Sequence, residues 1–156
     1  LALLVAAPAG LLIWVMANIY IGDMSLLSHL AGFLDPFARL LGLDGYILTA
    51  FILGFPANEI VIPIIIMSYL AAGNILELES LHQLRQLLVS HGWTWSTALC
   101  VMLFSLMHWP CGTTCQVIMK ETQSLKWTLV SFAVPTVTGM VICFITANVI
   151  RLLGLA

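Results

Sequence analysis

Residues 107–115, Met-His-Trp-Pro-Cys-Gly-Thr-Thr-Cys, gather a thioether, an imidazole, an indole and two thiols at the end of an apolar run. His108, Cys111 and Cys115 stand at i, i+3 and i+7, so a helix through them carries all three on one face. If the helix instead restarts at Cys111, the two thiols still lie one turn apart. Soft sulfur with borderline imidazole suits first-row transition metal ions and not magnesium or calcium. The absence of a CxxC pair argues against a structural zinc site. Pro110 and Gly112 interrupt the backbone within this set, and the hydroxyls of Thr113 and Thr114 can satisfy groups that the break frees.

A second interruption lies upstream, in "GFPANEIVIP" at residues 54–63, which places Asn58 and Glu59 inside an apolar stretch. An acidic side chain at mid-membrane costs about 2.5–3.5 kcal/mol on insertion scales, so such a placement points to function. Gly54 adds backbone freedom, and Pro56 and Pro63 each disfavour helix at the preceding residue. The expected outcome is a helix that unwinds near 54–57 and restarts at Ala57 or Asn58. Freed carbonyls there must face protein or a water-filled cavity. The alternative is that Glu59 sits at the membrane interface as an N-terminal helix charge, held by the helix dipole. Two Gly/Pro-broken apolar segments in one chain are the sequence sign of a transporter's midplane site. Asn58, Glu59, His108, Cys111 and Cys115 are therefore the candidate metal-contacting residues.

The elements that must carry these residues are membrane helices. The 156 residues are 62% hydrophobic and 8% charged, with four cysteines and a net charge of −2. Soluble domains carry about 25% charged residues, so this chain is an integral membrane protein of the all-α class. Nothing in its charge suggests nucleic acid. Residues 1–21 supply a first span with Pro8 and Gly10 as kink points, and Trp14 and Tyr20 as interface anchors. Residues 26–43 carry His29, Asp35, Pro36 and Arg39 and read as short amphipathic pieces along the interface. Residues 45–72 are long enough to span but are broken in the middle. Residues 75–90 read as a polar-faced interfacial helix. Residues 93–110 form a short third apolar stretch, and 127–150 a last span with Pro135 and Gly139 inside. The total is about four passages, two of them discontinuous, with the basic residues too evenly spread to orient them. Cys100 and Cys143 sit in apolar runs and read as buried, inert thiols. The chain opens on Leu1 and reads as part of a longer polypeptide. There is no GxxxxGK[ST] or GxGxxG motif to cradle a nucleotide phosphate.

"LTAFILGFPANEIVIPIIIMSYL" resembles the second Gate (nucleoside-recognition-like) segment of ferrous iron transport protein B, and "HWPCGTTCQVIMKETQSLKWTLVSF" is similar to the segment that closes that family's membrane domain. The Pro-Cys pair followed by Lys-Glu-Thr-x-Ser-x-Lys-Trp carries the resemblance, which runs from about residue 10 to the end. It implies a second Gate segment over about 10–92 and a closing Pro-Cys segment with the last span over about 93–156. It further implies a multi-pass protein of the bacterial inner membrane, with Fe(II) as transported substrate and no permanently bound cofactor. By the same resemblance Cys111 is the membrane cysteine at the iron path and Glu59 the Gate-segment acid. His108 and Cys115 rest on spacing alone. The family's amino-terminal GTPase and first Gate segment are partners expected from the same polypeptide, and these residues by themselves are not expected to be an enzyme. Small cytoplasmic accessory proteins and a homo-oligomer are further partners that the family allows.

Three other readings compete. A Gate relative that moves nucleosides would want hydrogen bonds and aromatic stacking where this chain offers thiols. An intramembrane enzyme with Cys111 as nucleophile and His108 as base has no nameable orienting group or oxyanion hole. The last is a non-catalytic structural membrane subunit.

Overall fold

The structure, a computed structural model, describes residues 2–70 and 80–155. The described residues form eight α-helices and one small hairpin. Helix α1 (Ala2–Asn18) runs unbroken through Pro8 and buries Ile13 and Ala17. It feeds a hairpin, β1 (Tyr20–Ile21) and β2 (Met24–Ser25), which turns through Gly22 at φ +70°. Ser25 then caps α2 (Leu26–Leu40), accepting the Ser28 amide at 3.2 Å.

Region 26–43 departs from expectation. It forms one helix through Pro36, not several short pieces, and packs intimately on α3 (Gly45–Leu53). The reason lies in small residues and one carboxylate. A Cβ on Gly45 would lie 1.9 Å from the Ala31 carbonyl oxygen, so the two helices touch backbone to backbone. Asp35 uses one oxygen to accept from the Gly45 amide at 3.0 Å and the other to accept from Arg39 at 2.6 Å. Its charge is thereby spent on holding the corner between α2 and α3, which bend by 108°. Asp44 caps α3 through the Ile47 amide at 2.7 Å.

After α3 the chain unwinds, makes a single 3-10 turn (Asn58–Ile60) and continues as α4 (Val61–Tyr69). The unwinding near 54–57 and the restart at Asn58 match the expectation from Gly54 and Pro56. Pro63 is not a break. It sits in the first turn of α4, where a missing amide hydrogen removes no helical bond. Residues 71–79, including the start of the expected 75–90 helix, lie outside the described residues. Ser80 caps α5 (Leu81–Ser90), and Thr94 caps α6 (Trp95–Met107). The chain breaks again at 108–111, forms α7 (Gly112–Thr122), turns at Gln123 with φ +48°, and ends in α8 (Leu125–Leu152). Helix α8 runs through both Pro135 and Gly139.

Among the described residues two segments are long and apolar enough to cross a membrane: Trp95–Thr122, taken through its break, and Leu125–Leu152. The bent α2–α3 pair would make a third. This is fewer than the four passages expected, because α1, expected as a first span over 1–21, is a shorter apolar helix and the break splits 45–72 into two nine-residue helices. Each is about 14 Å long, roughly half of a hydrocarbon core.

Helix α8 packs along α6. Gly139 makes this possible, since a Cβ there would stand 2.9 Å from the Met107 carbonyl oxygen. Cys100 and Cys143 are fully buried in this seam, as expected, and the Cys143 thiol donates to the Cys100 carbonyl at 3.5 Å. The start of α6 and the end of α8 share one end of the molecule, where Trp95 Nε1 donates to the Leu155 carbonyl at 2.9 Å. At the same end Arg151 donates to the Arg39 carbonyl. A polar knot closes this end. The Tyr69 hydroxyl donates to Asp44, Trp93 Nε1 donates to the Tyr69 oxygen at 2.8 Å, and His91 stacks on the Tyr69 ring.

Candidate metal path at two helix breaks

The first break begins where Gly54 ends α3. A Cβ at Gly54 would lie 2.5 Å from Val61 Cγ2, so glycine lets α4 fold back onto the end of α3. The Phe55 amide reaches the Ile52 carbonyl at 3.3 Å, the Ala57 amide the Gly54 carbonyl at 3.0 Å, and Pro56 has no amide hydrogen to place. The Phe55 carbonyl is left without a helical donor. Asn58 and Glu59 follow in the 3-10 turn, with both side chains exposed and without a hydrogen bond among the described residues.

The second break begins where α6 ends at Met107. Cys111 is extended, at φ −64° and ψ 161°, and forms the N-cap of α7. The helix resumes one residue later than Cys111, and the Cys115 amide donates to the Cys111 carbonyl at 3.0 Å. The half-buried Cys111 sulfur lies 3.0 Å from the Thr113 hydroxyl and 3.0 Å from the Thr114 hydroxyl. A thiol has one proton, so at least one threonine donates to the sulfur. Cys115 lies one turn along, its thiol donating to the Pro110 carbonyl at 3.6 Å.

The two breaks are tied to each other. The Gly112 amide donates to the Phe55 carbonyl at 2.7 Å, supplying the donor that the first break lacked. Gly112 sits close against Phe55 here, since a Cβ would stand 3.2 Å from its ring. An unpaired backbone acceptor in hydrocarbon is costly, so each break relieves the other.

His108 takes a different place from the thiols. Its Nδ1 faces the Ser105 carbonyl at 2.9 Å, and its ring sits among Phe51, Phe104 and Trp109. A carbonyl accepts only, so Nδ1 carries the hydrogen and Nε2 holds a bare lone pair, which is buried and unpartnered. The structure thus brings Cys111 and Cys115 together and joins their break to the one bearing Asn58 and Glu59. Among the described residues, no three His, Cys, Asp or Glu side chains gather closely enough to hold a metal ion.

Phe55 was not legible as a site residue. Its one signal is its position before Pro56, which takes it out of the helix and orphans its carbonyl. Nothing in the sequence names Gly112 as the donor.

The Gate family model, described as nucleoside recognition, matches residues 1–125. The chain belongs to the Gate family. That match runs through both breaks. The Fe(2+) transporter FeoB of Synechocystis sp. is 27% identical over 137 residues, covering 86% of this chain and 21% of that protein. The Fe(2+) transporter FeoB of Staphylococcus aureus strain COL is 45% identical over 49 residues, 31% of this chain and 7% of that protein. The resemblance to ferrous iron transport protein B read from the Pro-Cys motif is therefore present in curated relatives. The chain spans about a fifth of the length of the first of them. No solved structure matches. The protein is an all-α membrane protein of the Gate family.

Proposed function

We propose that these residues form one half of the ion path of a bacterial inner-membrane Fe(II) importer. Residues of about 10–92 act as the second Gate segment, and those of about 93–156 as the closing segment with the last span. The observation that carries this reading is the bond from Gly112 to Phe55, which joins the thiol-bearing break to the acid-bearing one. Cys111 is the main contact for the ion, with Cys115, His108, Glu59 and Asn58 as lesser contacts. A ferrous ion entering the membrane sheds water and needs replacement ligands. A soft thiolate favours it over magnesium and calcium, which gain little from sulfur. The rest of the polypeptide supplies the other wall of the path, in keeping with sites built between related repeats.

The test is uptake of labelled Fe(II) into vesicles holding the full-length protein, at limiting iron, with magnesium in excess. Wild type should accumulate iron and Cys111→Ser should lose most of that uptake at unchanged expression. Equal uptake by the two would remove the thiol from the path. The family's nucleoside-recognition description favours a second reading, and labelled nucleoside in the same vesicles tests it. Nucleoside uptake that is indifferent to Cys111→Ser would replace the iron reading.

A further inference from the structure

Helix α5 leaves a groove of about 430 Å³ against the first turn of α6, lined by Leu84, Arg85, Leu88, Trp93, Thr94 and Trp95 among others. Its placement in the membrane follows from the two spans. Helix α6 starts at this end and α8 finishes here, joined by the bond from Trp95 to Leu155. The groove therefore lies where hydrocarbon gives way to headgroups, the depth at which indole rings concentrate.

Among the described residues its charge is uncompensated. All three arginines of the chain lie at this end. Arg39 is paired with Asp35, and Arg151 donates to the Arg39 carbonyl. Arg85 is exposed and makes no ion pair or hydrogen bond among the described residues. Asp44, the other carboxylate nearby among the described residues, is taken up by the Ile47 amide and the Tyr69 hydroxyl. Between residues 81 and 98 there is no acidic residue. The indole hydrogens of Trp93 and Trp95 are already engaged, so their rings offer faces and edges to an occupant and not donors. Leucines below, indoles at the rim and one free guanidinium above match a molecule with an acyl chain, a glycerol ester region and an anionic head.

We propose that this groove holds one anionic phospholipid, its phosphate on Arg85 and the Thr94 hydroxyl and its acyl chain along Leu84 and Leu88. The site is separate from the helix breaks and does not depend on which substrate passes through them. Lipid bound here would brace α5 against the polar knot of Asp44, Tyr69 and Trp93.

The experiment is native mass spectrometry of the full-length protein titrated with phosphatidylglycerol or phosphatidylcholine of the same chains. Wild type should retain phosphatidylglycerol about fivefold better, the factor one basic residue contributes at an anionic surface. Arg85→Gln should abolish the preference, Arg85→Lys should keep it, and Arg39→Gln should leave it unchanged. Equal retention of the two lipids by wild type overturns the proposal, as does an undiminished preference in Arg85→Gln. Displacement of the bound lipid by millimolar inorganic phosphate would reassign the site to a free anion and overturn it equally. Circular dichroism of each variant guards against misfolding.

Discussion

The two helix breaks solve the same problem in opposite ways. At residues 54–57 the chain folds back tightly, spends its amides on local turns, and leaves an acid and an amide exposed. At residues 108–111 the chain is extended, buries its imidazole among aromatic rings, and holds one thiol between two hydroxyls. The first break presents hard oxygen donors without partners. The second presents a soft donor already surrounded by polar groups. Side-chain chemistry is thus divided between the breaks, while the main chain joins them.

The largest expected effect comes from erasing that division. Cys111→Ser turns the second break into another oxygen donor and should lower Fe(II) uptake about tenfold or more, since altering a single metal-contacting environment costs that much. Uptake into vesicles at limiting iron measures this. Cys115→Ser and His108→Ala should each lose less, because Cys115 is engaged with the Pro110 carbonyl and His108 points into the aromatic cluster. A His108→Ala loss equal to that of Cys111→Ser would show that the imidazole swings out to meet the ion.

Tightness separates the breaks next. Gly54→Ala places a Cβ 2.5 Å from Val61 and 2.9 Å from the Ala50 carbonyl, and should destabilise the fold by about 1–3 kcal/mol. Gly112→Ala meets the edge of a movable ring at 3.2 Å and should cost less than about 1 kcal/mol. Thermal unfolding in detergent ranks the two, and a reversed order would mean that the second break is the more rigid. Glu59→Gln should then give a partial loss of uptake with normal stability, because the carboxylate is exposed and makes no bond within the described residues. Full activity of Glu59→Gln would leave the first break a structural partner alone. The smallest effect belongs to Cys143→Ser, whose hydroxyl can still donate to the Cys100 carbonyl, and to Cys100→Ser. Both should transport at close to the wild-type rate.

The breaks themselves were legible because glycine and proline act through local backbone geometry. Gly54 with Pro56 placed the unwinding correctly, and Pro110 placed the second. Pro63 misled, since its meaning depends on how far it stands from the helix start, and that start was fixed by the fold-back at Gly54. The buried roles of Cys100 and Cys143 followed from their apolar neighbours. Region 26–43 was expected in short pieces because Pro36, Asp35 and Arg39 interrupt its apolar residues, yet one helix runs through Pro36. The use of Asp35 and Arg39 as a corner depends on Gly45 arriving within hydrogen-bond distance, ten residues along. The bond from Gly112 to Phe55 was beyond sequence reading for the same reason. Composition and periodicity report local preference, and these are long-range meetings.

That bond has a consequence for how the protein is studied. Both of its atoms belong to the main chain, so no alanine, serine or charge-reversal scan removes it, and residues on either side will look dispensable one at a time. Proline at position 112 is the informative exception. It deletes the amide hydrogen at the first helical position, where the ring is otherwise well accommodated, and the extended Cys111 before it already has the backbone that proline demands. A Gly112→Pro protein would keep every candidate ligand but lose the pin between the two breaks, and its ring, standing where the amide hydrogen meets the Phe55 carbonyl, would push them apart. Fe(II) uptake by such a protein would show whether the proposed path needs only its inventory of ligands or needs its two broken helices to move as one.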